Sequence, residues 1–532
     1  MDMLNRPPMI ARGVQRVRGV ARKPLAIADA AANRLYTWRY NPLYQSGSLL
    51  VLSFLIMLVS GVWLLLFYRI GAPWESVLRL DDQWIAGRWL RSIHRYAADL
   101  AIVAAALHAF RMFVQGRSWG PRTLAWVSGW VLLFLIFVCG WTGYVMVWDE
   151  HGKLLALEGA RLLDALPLFS EPISRAFMGD QPVPNAFFFL NLFLHVALPV
   201  GTALVLWLHV SRIARPVLLP PRGLLWGVTA LLFGASVLAP APLGPRADLL
   251  SIPASLDLDF FYGFWIPASR SLEPATAWSV FALFVAAACL APLYTRPPRG
   301  ERREPSVSPD RLCTGCDQCT VDCPYEAIGL VQRPELGLDH PVARVDPALC
   351  VSCGICTASC APMAIGPPGE SGREELTRVR SFIDAHPFGA RDVVVVACER
   401  GAGGVTRAGE ADGATVFPVR CIGHLHTSVV EYLLRSGVGG VLIASCPPRD
   451  CWSREGPRWL DERLYAGREA ELRESLDRRR IEVVHAAEGE RRVMRGAVAL
   501  LRERVIALGA AERESEIEIE AECEPDSVGV AS

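Results

Sequence analysis

The chain has 532 residues, 52% of them hydrophobic, and equal numbers of acidic and basic side chains leave it without net charge. This length exceeds a single domain, and the positive mean hydropathy excludes a wholly soluble protein. No extended basic stretch is interleaved with aromatic residues, so no nucleic-acid partner is expected. The composition therefore predicts a membrane protein with soluble attachments.

The N-terminal segment, residues 1–40, is rich in arginine and predicts a basic amphipathic stretch without a cleavable signal peptide. Six apolar runs follow, each near the ~20 residues that a membrane-spanning helix needs: 48–68, 94–114, 126–148, 188–212, 223–241 and 274–294. The loops at 111–125 and 212–222 are basic, whereas the loop at 149–187 is acidic. The positive-inside rule then predicts a multi-pass protein of a bacterial or archaeal cytoplasmic membrane, with its N-terminus and its cysteine-rich C-terminal half in the cytoplasm.

Two pairs of histidines with equal spacing lie in these runs: His94 and His108 in the second, His195 and His209 in the fourth. Fourteen residues make nearly four helical turns, so both imidazoles of a pair lie on one helix face, about 21 Å apart. Two such helices facing each other offer two bis-histidine sites, which predicts two b-type haems. Interfacial or core histidines are the alternative, but uncompensated imidazoles are rare in lipid.

Four glycines in the first and third runs repeat the same fourteen-residue interval: Gly47, Gly61, Gly129 and Gly143. They would let a flat macrocycle approach both helices, although small residues are also common wherever membrane helices pack. Three arginines lie near the ends of the second run: Arg91, Arg95 and Arg111. A guanidinium there could pair bidentately with a haem propionate, or simply lie at the membrane interface.

Four stretches resemble cytochrome b of quinol-oxidising bc-type complexes, especially the short split form of the chloroplast complex: RSIHRYAADLAIVAAALHAFRMF, GWTGYVMVW, GARLLDALPLFSEPISRAFMGD and HVALPVGTALVLWLHVSRIARP. The resemblance covers about residues 25–215. It implies that His94 pairs with His195 at an outer haem and that His108 pairs with His209 at an inner haem. It also implies a quinone pocket on the outer side, under the 155–180 loop.

The loop before the sixth run departs from that family. The family's outer quinol site uses a Pro-Glu-Trp-Tyr motif, whereas this chain reads IPASLDLDFFYGFW. Asp257, Asp259 and Tyr262 are the candidate quinone-site residues, with one aspartate handling the proton. Acidic residues of an outer loop that are merely solvated are the alternative.

A linker rich in proline and arginine, residues 296–310, precedes two C-x2-C-x2-C-x3-C runs, CTGCDQCTVDCP and CVSCGICTASCA. This is the spacing of a bacterial two-cluster ferredoxin, in which the last cysteine of each run ligates the other cluster. Residues 311–368 are therefore expected to hold two [4Fe-4S] clusters. Cluster one would take Cys313, Cys316, Cys319 and Cys360, and cluster two Cys350, Cys353, Cys356 and Cys323. Zinc is the alternative, but zinc sites seldom use eight cysteines in this repeat.

Residues 390–510 read as an α/β domain, because short β-like runs such as DVVVVAC and GGVLIASC alternate with helical stretches. The stretch VRCIGHLHTSVVEYLLRSGVGGVLIASCPPRDCWSREG resembles the delta subunit of methyl-viologen-reducing hydrogenases, over about residues 391–508. That resemblance implies a [2Fe-2S] cluster and electron exchange with a heterodisulfide-reductase-type flavoprotein. Its ligands would be Cys398, Cys421, Cys446 and Cys451. The family's paired cysteines near the first strand are reduced here to one, and a structural zinc is the alternative. Residues 511–532 are acidic and expected to be disordered, with Cys523 incidental.

The predicted architecture is an all-α membrane bundle of about six transmembrane helices, followed by an α+β ferredoxin-like domain and an α/β iron-sulfur domain. The bundle divides into a four-helix dihaem core at 41–215 and two further helices at 216–295. Such a chain would be a non-catalytic or quinone-reactive subunit of an oxidoreductase complex, with two haem b, two [4Fe-4S] clusters and one [2Fe-2S] cluster. It would pass electrons between a cytoplasmic heterodisulfide-reductase-like flavoprotein or dehydrogenase and the quinone pool, and a homodimer as in cytochrome b complexes is among its expected assemblies. The alternative is a membrane anchor and relay that lacks a quinone site and serves an outer partner.

Overall fold

The computed structural model describes residues 9–167, 171–177, 182–211, 216–250, 259–297, 303–399, 401, 413–468 and 471–523, with the backbone alone for 9–12 and 511–523. The chain forms two compact units. The first comprises Met1–Ala21 and Gln45–Pro298, and the second comprises Arg22–Tyr44 and Arg299–Ser532. Helix α1 (Met9–Tyr40) contributes its first part to the first unit and its second part to the other.

The first unit is helical in its described residues. Its helices after α1 are α2 (Ser46–Leu65), α3 (Pro73–Asp82), α4 (Trp89–Val114), α5 (Thr123–Val147), α6 (Glu150–Asp164), α7 (Asn185–Ser211), α8 (Arg222–Leu238), α9 (Ile266–Ser271), α10 (Pro274–Cys289) and α11 (Ala291–Thr295). Within the described residues, α2, α4, α5 and α7 are long and apolar enough to cross a membrane, whereas α8 and α10 are apolar but shorter. These six helices lie within a few residues of the six predicted runs.

Two pairs of closely packed helices form the main part of this unit: α2 packs along α4, and α5 packs along α7. Helix α4 buries several small side chains, among them Ala97, Ala101 and Ala104. Small residues of this kind let membrane helices approach each other closely. In the loop after α5, the Asp149 side chain caps α6 by accepting from the Gly152 amide at 2.9 Å.

The second unit begins its cysteine-rich part with an antiparallel pair, β1 (Ile328–Val331) and β2 (Val342–Val345). Two short helices, α12 (Gln318–Asp322) and α13 (Ile355–Ser359), each lie between cysteines of one run. Helix α14 (Gly372–Ala385) follows, and it starts at a capping box made by Ser371 and Glu374.

A parallel sheet forms the core of the rest of the second unit. Its strands are β3 (Val393–Cys398), β4 (Thr415–Val419), β5 (Gly440–Ser445) and β6 (Ile481–His485), in the order β4-β3-β5-β6. The helices are α15 (Thr427–Arg435), α16 (Gly456–Tyr465) and α17 (Arg491–Cys523). Strands β3 and β5 are buried throughout, as expected of parallel strands covered on both faces. The predicted α/β organisation is therefore confirmed.

Two features of the second unit differ from expectation. The segment 511–523, predicted to be disordered, continues α17 as a helix, because its Glu and Ala residues are good helix formers; residues 524–532 lie outside the described part. The other feature is the second part of α1, which packs against the α/β domain. There Arg22 pairs with Glu488 at 2.6 Å, and the Trp38 ring meets His485 edge-on at 5.3 Å.

Candidate redox centres

The four predicted haem histidines lie on two helices, His94 and His108 on α4 and His195 and His209 on α7. The rings of His94 and His195 face each other with centroids 6.3 Å apart and planes tilted by 56°. His108 and His209 lie fourteen residues further along the same two helices. The structure thus brings the predicted His94–His195 pair together and places one histidine of the other pair on each helix.

Each of the four glycines faces one of these histidines from the neighbouring helix. A Cβ atom would lie 3.0 Å from His108 Cε1 at Gly47, 3.1 Å from His94 Cε1 at Gly61, 3.4 Å from His209 Cε1 at Gly129 and 2.9 Å from His195 Cε1 at Gly143. The missing side chains therefore make room for the imidazoles themselves. Clearance for a macrocycle beside them stays a prediction.

A hydroxyl residue immediately precedes every one of these glycines. The oxygen to Nδ1 distances are 3.4 Å for Ser46 and His108, 2.9 Å for Ser60 and His94, 3.0 Å for Ser128 and His209, and 3.0 Å for Thr142 and His195. These four residues were not predicted as parts of the site. Their signal was a Ser-Gly or Thr-Gly dipeptide at each glycine of the fourteen-residue repeat.

The partners of Nδ1 decide which nitrogen carries the proton. His195 Nδ1 also lies 2.9 Å from the carbonyl oxygen of Cys139. A carbonyl can only accept, so Nδ1 holds the hydrogen and donates it. Nε2 of His195 therefore keeps its lone pair, and this is the tautomer that binds a metal through Nε2.

The spacing of the rings suits a haem iron. An imidazole nitrogen lies about 1.2 Å from the ring centroid and a metal–imidazole bond is about 2.0 Å, so two rings on one ion have centroids about 6.4 Å apart. The 6.3 Å between His94 and His195 agrees with this value. The residues present at this pair fit a bis-histidine haem.

The eight cysteines of the ferredoxin-like part line two cavities in the predicted grouping. One cavity has about 340 Å³ of empty space and is lined by Cys313, Cys316, Cys319 and Cys360. The other has about 300 Å³ and is lined by Cys323, Cys350, Cys353 and Cys356. The last cysteine of each run thus lies in the cavity of the other run, as in a two-cluster ferredoxin.

Backbone amides are directed at sulfur atoms in both cavities. The amides of Ala343 and Ala364 donate to two sulfurs of the first cavity at 3.3 Å, and the Ala327 amide donates to Cys323 at the same distance in the second. Such donors stabilise negative charge on sulfur and tune an iron-sulfur cluster. The donor set of both cavities therefore fits a [4Fe-4S] cluster.

The four cysteines of the predicted [2Fe-2S] site meet at the carboxyl ends of the parallel strands. Cys398 ends β3 and Cys446 follows β5, with their sulfurs 3.5 Å apart. A Cβ at Gly456 would lie 3.1 Å from the sulfur of Cys421 and 3.2 Å from that of Cys451. This edge, where the order of strands reverses direction, is the usual ligand site of an open parallel sheet.

The chemistry of this third cysteine site fits a cluster that needs deprotonated sulfur. Hydrogen bonds with neighbouring thiols, and then burial, raise the pKa of Cys446 above its ordinary value. A metal overcomes this because it binds the thiolate and releases the proton.

Comparison with known proteins identifies relatives of the N-terminal, helical part of the chain. Residues 33–216 match the family model for cytochrome b/b6/petB. The chain is 31% identical over 177 residues to the menaquinol:cytochrome c reductase cytochrome b subunit of Geobacillus thermodenitrificans, covering 32% of this chain and 79% of that protein. It is 30% identical over 193 residues to cytochrome b6 of Synechococcus sp. (strain JA-3-3Ab), covering 35% of this chain and 88% of that protein. The chain belongs to the cytochrome b family.

Two further comparisons concern other parts and the fold. Residues 394–509 match the family model for the methyl-viologen-reducing hydrogenase delta subunit. A chain of a solved structure described as hyperthermophilic respiratory Complex III is 20% identical to this chain, with a TM-score of 0.39. The match covers 47% of this chain and 75% of the chain in that structure. With its cytochrome b part and apolar helices, this chain is a multi-pass membrane protein for electron transfer, and membership of the family implies haem b.

The predicted propionate arginines of the cytochrome b part are bound to other groups of the chain. Arg91 Nη2 lies 2.8 Å from Asp81 Oδ1, and Arg95 Nη2 lies 2.5 Å from Asp259 Oδ2. Arg111 is buried and also has a partner. Their contact with haem propionates stays a prediction.

The described quinone-site candidates lie close to the helix that carries His94, and Asp259 is held there by several polar contacts. Asp259 accepts hydrogen bonds from the amides of Phe261 and Tyr262, at 3.0 and 2.7 Å, in addition to its ion pair with Arg95. Asp257 lies outside the described residues.

Tyr262 fills the space above a glycine of α5. A Cβ at Gly140 would lie 2.0 Å from its ring, which is 1% exposed and stacks on Phe137 at 5.9 Å. Its ring also meets Tyr144, next to Gly143, at 5.4 Å. Burial raises the pKa of the Tyr262 phenol far above its ordinary value, so this group stays protonated and can only donate or accept a hydrogen bond.

Proposed function

We propose that this chain is the membrane electron-transfer subunit of a quinone-linked oxidoreductase complex. It passes electrons between a cytoplasmic flavoprotein or dehydrogenase of the heterodisulfide-reductase type and the quinone pool. One observation carries the proposal: the facing His94 and His195 rings and three groups of four cysteines occur in the same chain.

Each group of residues has a separate task. The histidines of α4 and α7 would hold two b haems, the two cavities two [4Fe-4S] clusters, and the third site a [2Fe-2S] cluster. When bound, each of these groups carries one electron at a time. The chain itself fixes their positions, buries them away from water and directs hydrogen bonds at their ligands.

The similar proteins support both ends of this electron path. The name of the Geobacillus relative contains menaquinol, which supports a quinone at the membrane end. The match to a hydrogenase delta subunit supports a soluble redox partner at the other end. The arginine-rich loops support an orientation in which the N-terminus and the cysteine sites face the cytoplasm.

Reoxidation of the reduced haems by a quinone analogue tests the membrane end. Liposomes with the full chain are reduced with dithionite, and the haem absorption bands are followed after a short-chain menaquinone analogue is added. We expect rapid reoxidation by the wild type and at least tenfold slower reoxidation by the Asp259→Asn and Tyr262→Phe variants. Asp248→Asn is the matched control, because Asp248 is an exposed outer-loop aspartate that also accepts from a backbone amide two residues on, at 3.0 Å.

A relay without its own quinone site is the second candidate function. Two observations favour it: Asp259 already pairs with Arg95 and accepts a backbone hydrogen bond, and Tyr262 is buried. Few polar atoms are therefore left for a quinone headgroup. In that case the quinone analogue leaves the wild-type haems reduced, whereas an added water-soluble acceptor such as ferricyanide oxidises them. Reoxidation by quinone at an unchanged rate in both variants would instead contradict this location of the pocket.

A further inference from the structure

A single buried guanidinium in the second unit connects loops of all three cysteine sites. Arg463, on α16, has a side chain that is 1% exposed. It donates to Asp322 Oδ2 at 2.8 Å, to Ser359 Oγ at 2.8 Å and to the carbonyl oxygens of Ile355 at 3.1 Å and Gly423 at 2.8 Å. Nη1 and Nη2 thus find their acceptors inside the protein, whereas the buried Nε has no hydrogen-bond partner among the described residues.

Each of its four partners is a near neighbour of a cysteine in sequence. Asp322 and Ile355 immediately precede Cys323 and Cys356 of the second cavity, Ser359 immediately precedes Cys360 of the first, and Gly423 follows Cys421 of the third site by two residues. The three sites therefore cannot shift relative to one another without breaking bonds to this one side chain.

The charges around Arg463 are balanced. Asp322 is fully buried and also pairs with Arg468, at 2.7 Å. Arg468 in turn lies 3.5 Å from Glu462, which is one-third exposed. Glu462 also pairs with Arg458 at 3.0 Å, and Arg458 lies 4.0 Å from Glu455. Three cations thus face three anions, and neutralising Arg463 or Asp322 leaves one uncompensated charge beside the cysteines. Burying such a pair is costly, so stability alone is a weak reason for its presence.

We propose that Arg463 is a positioning residue that holds the three cysteine sites in a fixed relation and, with Asp322, sets the reduction potentials of their clusters. The inference rests on the proposed function, since it requires the clusters. Reduction adds one electron, and hence one negative charge, to a cluster. A net positive charge nearby therefore favours the reduced state, and a net negative charge disfavours it.

Opposite shifts in potential test the inference. The full-length protein is titrated with redox mediators, and the EPR signals of its clusters are followed. Arg463→Gln leaves a net negative charge near the clusters and should lower the reduction potentials of the [4Fe-4S] clusters. Asp322→Asn leaves a net positive charge there and should raise them. We expect about a tenfold change in the one-electron equilibrium each way, which is about 59 mV. Arg479→Gln is the control, since Arg479 also pairs with an aspartate, Asp477 at 2.9 Å, but its side chain is 69% exposed.

The outcomes separate a charge effect from mere loss of packing. Equal potentials in all variants, or shifts of the same sign in Arg463→Gln and Asp322→Asn, would overturn the inference. Arg463→Lys keeps the charge and should keep the potentials near those of the wild type, so a fall as large as in Arg463→Gln would also count against it. If Arg463→Gln assembles no clusters, the sign of the shift in Asp322→Asn decides. Wild-type protein without [4Fe-4S] signals would instead refute the proposed function.

Discussion

Replacing Gly143 by alanine introduces a methyl group where the His195 ring lies. The new Cβ would be 2.9 Å from Cε1 and 3.5 Å from Nδ1 of that ring, closer than the packed helices allow without movement. The matched change at the inner pair is milder. A Cβ at Gly129 would be 3.4 Å from His209 Cε1, which is an ordinary van der Waals contact.

The size of the effect follows from the cost of overpacking. An extra methyl group in a packed interior typically costs about 1–3 kcal/mol. Since every 1.4 kcal/mol is tenfold, roughly 5- to 150-fold weaker haem retention is expected at the outer site. Replacing a helical glycine by alanine also stabilises the helix by up to about 1 kcal/mol, but both variants share this gain, so it cancels in the comparison.

Haem retention can be measured directly. The purified variants are mixed with excess apomyoglobin, and the transfer of haem is followed by absorbance, with pyridine haemochrome analysis giving the number of haems left per chain. We expect Gly143→Ala to lose one haem rapidly and keep the other, and Gly129→Ala to keep both. Equal losses from the two variants, or two haems retained in Gly143→Ala, would refute the reasoning.

The other predictions concern a carboxyl group, the third cysteine site and the inner histidine. Burial raises the pKa of Glu375 to about 7 from 4.5, so the folded state holds more protons than the unfolded state, and stability falls by about 3 kcal/mol as the pH rises from 4.5 through 7. Glu375→Gln should flatten this part of a plot of Tm against pH, and an unchanged slope would contradict the assignment. Gly456→Ala places a Cβ 3.1 and 3.2 Å from two cysteine sulfurs and should remove the [2Fe-2S] EPR signal while the [4Fe-4S] signals persist; loss of all signals together would argue against a local effect. Ser46→Ala removes the hydroxyl at His108 Nδ1 and should speed haem loss at the inner site about tenfold, whereas a variant that retains haem like the wild type would show that the hydroxyl is dispensable.

The features that were predicted well from the sequence depend on the spacing of residues within one short segment of the chain. The fourteen-residue interval brings His94 and His108 to one face of one helix, because 3.6 residues per turn is a local property. The cysteine spacing predicts most of the two cavities for a similar reason, since the first three cysteines of each run line one cavity, and only the last cysteine reaches the other. Uninterrupted apolar runs predict the buried strands β3 and β5.

The features that were missed depend on residues far apart in the chain. The hydroxyl partner of His94 is 34 residues away, and the choice of helix neighbour is made by packing rather than by spacing. Arg463 and Asp322 are separated by 141 residues, so neither residue signals the other. The docking of the second part of α1 on the α/β domain involves pairs such as Arg22 and Glu488, 466 residues apart.

The two helix pairs of the cytochrome b part also suggest an order of assembly. The His94 ring is seated by Ser60 and Gly61 of α2, its packing partner, and the His195 ring is seated in the same way by α5. Each pair can therefore orient its own imidazoles in the bilayer before a cofactor arrives. Under the proposed function every haem would take one ligand from each pair, so a bound haem would connect the two helix pairs. Once one haem is bound, the two helix pairs would already hold the second pair of histidines in the correct relative position.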